Sequence, residues 1–194
     1  MKSGLKLPLM VAVGLLLTGT LLPFSQEAQT PATITGQERD GVLAAHNTAR
    51  QNDVPGNTGG PLRPLEWDDG LAAASQTYAE AIAKTQCGNG DHDANRGDVG
   101  ENLFSAGTTD PQAPPRGGAD AVVAWVGEKA DYTYASNTCN AGKVCGHYTQ
   151  VVWRDTTKVG CGRATCTAND VFHTHWVCRY SPAGNVNVDT TKPY

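Results

Sequence analysis

Six cysteines, Cys87, Cys139, Cys145, Cys161, Cys166 and Cys178, constrain this chain more than any other feature, because they follow an N-terminal segment built for export. Lys2 and Lys6 precede the apolar run Leu7–Leu22, Pro23 interrupts it, and polar sequence resumes at Ser25. A positive start, an apolar middle and a polar continuation read as a secretory signal peptide over residues 1–28, with cleavage near Ala28. A membrane anchor is the alternative reading. The run has 16 residues and carries Pro8, Thr18, Gly19 and Thr20, whereas a spanning helix needs about 20 mostly apolar ones. An even cysteine count in an exported chain reads as three disulfides, for which 15 pairings exist. Zinc–thiolate binding is the rival use of these side chains. No CxxC pair occurs and the spacing is irregular, which argues against it in an oxidising compartment.

The 194 residues suit one domain, expected over 35–194 behind a polar lead, 29–34. At 39% hydrophobic and 18% charged, the chain can bury a core and is not a disordered charged tail. A formal charge of −4 with no run of Lys and Arg argues against non-specific nucleic-acid binding. Gly (22) and Pro (11) are abundant, which predicts long ordered loops.

Thr35-Gly36-Gln37-Glu38 has capping-box spacing, and Val42, Leu43, His46 and Ala49 then share one helical face up to about Asn52. Asp53–Pro64 is a Gly- and Pro-rich loop. Asp68 or Asp69 caps a second helix, on which Leu71, Ser75, Tyr78 and Ile82 recur. A third is predicted over Ala119–Lys129, with Ala119, Val122, Val123 and Val126 inward. Between these two, residues 86–118 read as a long polar loop, functional or tied down by cross-links. Tyr148–Trp153, Val159–Thr165 and Val171–Tyr180 are rich in β-branched and aromatic residues and read as antiparallel strands. Helices first and strands later predict an α+β domain, with helices packed on an antiparallel sheet.

Of five histidines, His92 and His147 have suggestive surroundings. His92 lies nine residues before Glu101, and His147 opens the segment Gly146-His147-Tyr148-Thr149-Gln150. With Glu128, at the end of the third helix, they would give a divalent cation two imidazoles and two carboxylates, if they converge. Spacing alone leaves that open, since no HExxH or other short metal signature is present; on composition, hydrogen-bonded or surface roles are the simpler reading. His46 reads as a structural histidine on the buried face of the first helix. His173 and His175 share one strand face, a geometry compatible with metal, but the expected setting is an edge strand facing water. With no GxSxG and all cysteines oxidised, nucleophilic hydrolysis finds no support.

Six ordered motifs resemble the CAP superfamily: the cysteine-rich secretory, antigen-5 and plant class-one pathogenesis-related proteins. They are His46-Asn47-Thr48-Ala49-Arg50, Leu65-Glu66-Trp67-Asp68, Gly100-Glu101-Asn102-Leu103, Trp125-Val126-Gly127-Glu128-Lys129, Gly146–Trp153 and Cys178–Asn185. Tyr132–Trp153 is most similar to the plant branch. The resemblance covers Thr35–Tyr194 and implies a three-layer α–β–α sandwich. It implies a cavity holding His92, Glu101, Glu128 and His147, with zinc the best-suited cation. It also implies the disulfides Cys87–Cys166, Cys139–Cys145 and Cys161–Cys178. The first would pin the long polar loop, and a loop of that length contributes about 4 kcal/mol or more in the chain-entropy model.

The resemblance implies three functional readings. The leading one is a secreted, monomeric, non-enzymatic protein of the defence or host-interaction type, binding a divalent cation and a sterol or other small lipid. The lipid would meet the loop Asp131–Val144 through Tyr132 and Tyr134, although packing on the third helix explains those rings equally well. The second is a zinc-dependent hydrolase or protease with Glu101 or Glu128 as general base. The third is a precursor whose tail, Pro182–Tyr194, is released as a signalling peptide. Here the tail spacing departs from the plant pattern, and Arg179 stands where the plant junction has Asn. No nucleic acid is expected as a partner, nor residence in the membrane after cleavage.

Overall fold

Thr35 caps the first helix as its spacing predicts. Its side chain accepts from the Glu38 N–H, and the Glu38 carboxylate accepts from the Thr35 N–H. In this computed structural model, which describes residues 33–194, that helix is α1 (Gly36–Asn52). The expected signal peptide and all but the last two residues of the polar lead lie outside the described residues. Asp68 caps α2 (Asp69–Thr85) by accepting from the Leu71 N–H at 2.9 Å. Then follow α3 (Gly118–Gly127), a 3-10 turn at Glu128–Asp131 and α4 (Gly146–Val151).

The sheet is built from β1 (Glu66–Trp67), β2 (Gly100–Thr108), β5 (Lys158–Ala168) and β6 (Val171–Ser181), in the order β1-β5-β6-β2. The three long strands are antiparallel, and the two-residue β1 adds a parallel edge, so the sheet is mixed. A short hairpin, β3 (Tyr132–Thr133) with β4 (Thr138–Cys139), stands apart from it. Strand alternation sends Val159, Cys161, Trp176, Cys178 and Tyr180 to one face, where they meet Val42 of α1, Trp125 of α3 and Val151 of α4. Ala164 and Val177 point the other way, onto Ala79 and Ile82 of α2. The result is an α–β–α sandwich.

Glycine sets how closely α2 lies on β5. A Cβ at Gly160 would stand 2.2 Å from the Ala72 nitrogen, and one at Gly162 the same distance from the Gln76 nitrogen. Any larger residue would push helix and strand apart. Three disulfides join Cys87 to Cys166, Cys139 to Cys145 and Cys161 to Cys178.

Several expectations are corrected. Tyr148–Trp153 is not a strand: Tyr148–Val151 lie in α4, and all four side chains are buried. Its β-branched and aromatic residues serve burial, and packing overrides their strand preference. Residues 86–118 are not all loop. β2 lies within them, its polar, Gly-containing sequence held extended by pairing with β6 from Gly100↔Tyr180 to Thr108↔Phe172. In α3 the inward positions are Ala121, Val122 and Trp125, while Val123 is 69% exposed and Ala119 faces water. Trp125 fills the core and donates to the Leu103 carbonyl at 2.9 Å, and this sets the phase of the helix. The α-helix ends at Gly127, two residues short of Lys129, and continues as the 3-10 turn. Finally, β6 is a central strand, not an edge.

Candidate functional site

β2 is the outer strand of the sheet, so residues from both layers meet along it. Asn102 fixes α4 there, donating to the His147 carbonyl at 3.0 Å. At Gly100 a Cβ would lie 1.9 Å from the buried Gln150 side-chain amide of α4, which would have to move.

The four expected residues come together as two pairs. His92 Nδ1 donates to Glu101 Oε1 at 2.9 Å, and His147 Nδ1 donates to Glu128 Oε1 at 2.6 Å. Both imidazoles line one cavity of about 310 Å3, together with Leu103, Phe104, Ser105 and His175. Each glutamate is itself held. The Glu101 side chain is wholly buried and also accepts from the Asp93 N–H and from Arg179 Nε. Glu128 accepts from the N–H groups of His147 and Tyr148, the first turn of α4. Trp125 stacks on the His147 ring, with centroids 6.3 Å apart.

This geometry constrains what a cation could use. Each carboxylate occupies Nδ1 and so orients its ring. Among the hydrogen bonds of the described residues, neither Nε2 is engaged. Two oriented imidazoles with their outer nitrogens free are a donor set that suits a divalent cation, with the glutamates as the supporting layer. The one group of three or more His, Cys, Asp or Glu ligand atoms mutually within 4.8 Å, among the described residues, is instead Cys87, Cys166 and His175.

Arg179 was not singled out as a site residue. It faces Glu101 across the β2–β6 register and also reaches Asp93, so one guanidinium neutralises one carboxylate of β2 and one of the His92 loop. Alternation along Cys178-Arg179-Tyr180 signals that Arg179 points away from the disulfide face; its partners depend on register. His46 is structural: buried, it donates from Nδ1 to the Val42 carbonyl at 2.8 Å, with the Tyr180 hydroxyl 2.9 Å from Nε2.

The tyrosines of the 131–144 loop are engaged by the C-terminal tail. Tyr134 stacks on Tyr194 at 4.5 Å between centroids, Lys192 Nζ lies 4.4 Å over the Tyr134 ring, and Asn137 donates to the Val188 and Thr191 carbonyls. Tyr132 is half-buried, tilted against Tyr148, and burial pushes its hydroxyl up to about 12. It lines a cavity of about 420 Å3 shared with Thr149, Trp153, Val188 and Pro193. Tyr194 is 5% exposed. Tyr194→Ala should therefore cost about 3 kcal/mol, a fall of roughly 6–12 °C in melting temperature. Calorimetric melting checks it.

An α+β sandwich with three disulfides and two glutamate-paired histidines lining one cavity defines the class. The chain belongs to the CAP family, the cysteine-rich secretory protein family, whose model matches residues 43–180. It is 45% identical over 161 residues to pathogenesis-related protein 1A1 of Solanum lycopersicum, covering 83% of this chain and 77% of that one. Among solved structures it is similar to BmVAL-1, with 26% identity, a TM-score of 0.61, and 79% and 80% of the two chains covered. NaASP2 with Zn2+ is also similar, with 25% identity, a TM-score of 0.54, and 79% and 83% covered. Among the described residues, no helix is long and apolar enough to cross a membrane.

Proposed function

We propose that this chain is an exported, non-enzymatic protein of the defence type that binds a divalent cation at His92 and His147 and a small lipid beside Tyr132. The pairing of each imidazole with a glutamate on the wall of one cavity carries this reading. A zinc ion would be held by the two Nε2 atoms, with Glu101 and Glu128 fixing the tautomers. The zinc in NaASP2 supports that choice of cation. The relatives' description as pathogenesis-related proteins supports the defence assignment, and the family description together with the N-terminal pattern supports export.

The enzymatic reading has weaker support, because both carboxylates already accept from N–H groups and neither stands free to take a proton from water. The precursor reading requires the escape of a tail whose last two residues are buried and whose Pro193 carbonyl accepts from the Arg154 N–H. For the lipid, the cavity beside Tyr132 supplies apolar walls, and Tyr132→Ala should weaken sterol retention.

Titration calorimetry with zinc tests the cation site. Binding should be measurable at about pH 7, where neutral imidazoles are available as ligands. His147→Ala should lower the affinity roughly 100-fold or more, beyond the loss of an outer-shell partner. Equal heats from wild type and variant would place the ion elsewhere.

A further inference from the structure

The His-x-His pair of β6 is unused by the readings above, and the sheet register surrounds it with sulfur. His173 and His175 point to the α2 face. Across the ladders, His173 is flanked by Cys166 and Gly107, and His175 by Ala164 and Ser105. Cys166 is bonded to Cys87, so two sulfurs and two imidazoles share one patch.

Three of the four groups converge, with His173 beside them. Both sulfurs and a ring nitrogen of His175 lie within 4.8 Å of one another, and His175 Nε2 is 3.6 Å from Cys166 Sγ. That nitrogen accepts from the Gly88 N–H at 3.3 Å, so it carries a lone pair, as a metal ligand must. His173 stacks on His175, with centroids 6.3 Å apart. It can lie there because Gly88 and Gly107 have no side chains: a Cβ at either would come within 2.9 or 3.1 Å of its Cε1. His175 is 2% exposed, whereas both cysteines are half-buried and open to a reagent.

A disulfide sulfur is neutral and a poor ligand; a thiolate is a strong one. Two thiolates and two imidazoles are a donor set that tetrahedral zinc favours. We propose that Cys87, Cys166, His175 and His173 form a zinc site that the Cys87–Cys166 disulfide holds shut and reduction by a dithiol opens. The dithiol gives two electrons and two protons to the S–S bond, becomes a disulfide itself, and leaves two thiols. Zinc then displaces the two thiol protons to solvent. Bound zinc would span the same two positions as the disulfide and so tie the 86–99 loop to β5 in either redox state. Its ligands differ from His92 and His147, although His175 lines the same cavity as those two.

Cobalt(II) is the probe, since thiolate coordination gives it a near-ultraviolet charge-transfer band and a tetrahedral site gives it intense visible bands. The test uses the domain carrying Cys139→Ser and Cys145→Ser; Cys161–Cys178 is buried and stays intact. A trialkylphosphine reduces Cys87–Cys166, its phosphorus taking oxygen from water. The reduced protein should bind one more equivalent of cobalt than the oxidised protein and show both sets of bands. His175→Gln should weaken that binding beyond the roughly 10–100-fold lost with an outer-shell partner. Absence of the charge-transfer band on reduction overturns the proposal, as does its survival in Cys87→Ser/Cys166→Ser or unaltered affinity in His175→Gln. Near-ultraviolet circular dichroism reports whether reduction loosens the fold. A reduced protein that loses this signal and does not regain it with cobalt also overturns the proposal.

Discussion

Arg50→Ala is expected to leave little folded protein. Arg50 ends the buried face of α1 and is 1% exposed, yet among the described residues no carboxylate pairs with it. Its guanidinium donates instead to five backbone carbonyls: Arg63, Val151, Trp153, Arg154 and Thr156. Four of these belong to the end of α4 and the turn after it, where carbonyls have no helical partner. Burial, with Arg154 nearby, pushes the group down to about 10, so it stays charged at neutral pH. The charge suits the negative end of α4. Removing it strips partners from several carbonyls at once, at about 1–3 kcal/mol for each one left dry. The sum reaches roughly 5 kcal/mol or more, against a whole stability of about 5–15. Arg50→Lys, with one compact donor group in place of the fork, should fall between. Soluble yield and melting temperature report both. A melting temperature within a few degrees of wild type for Arg50→Ala would mean that water serves these carbonyls as well as the guanidinium does.

What could be read before folding was what acts over a few residues. The Thr35–Glu38 box and the Asp68 cap are contacts three residues apart, and both helices start where those residues stand. The His92, Glu101, Glu128 and His147 set was legible only through motif resemblance. Nothing in the spacing says that each glutamate occupies an Nδ1, because His92 meets Glu101 from a loop and His147 meets Glu128 from a separate helix. The misreadings share one cause. Tyr148–Trp153 carries strand-forming residues in a segment whose surroundings reward a buried helical turn. β2 has a weak strand signal and gains its ladder from β6, some 70 residues on. Arg179 and the His173–Cys166 neighbourhood depend on register, which local sequence does not record.

His46 should make the domain acid-sensitive in a defined window. It is buried beside Trp125, and it spans α1 to β6 as a neutral ring, donating from Nδ1 to the Val42 carbonyl. Nε2 then accepts from the Tyr180 hydroxyl, which itself accepts from Asn102. Burial, and less strongly the Arg50 charge, push the ring down to about 4 from 6.5, while the Val42 carbonyl pulls the other way. The unfolded chain therefore takes up this proton first as the pH falls. The stabilising contribution is complete above about 6.5, declines as the pH drops, and is gone below about 4, a loss of about 3 kcal/mol. Tyr180 stays protonated, its hydroxyl pushed well up by burial, so it adds no titration in this range. His175 is also lowered by burial, but it titrates alike in wild type and in a variant at position 46. His46→Gln keeps some hydrogen bonding and removes the proton site. Urea unfolding should show it well below wild type at about pH 7 and nearly level with it at about pH 4. A gap of the same size at both values would mean that the buried ring does not couple folding to protons.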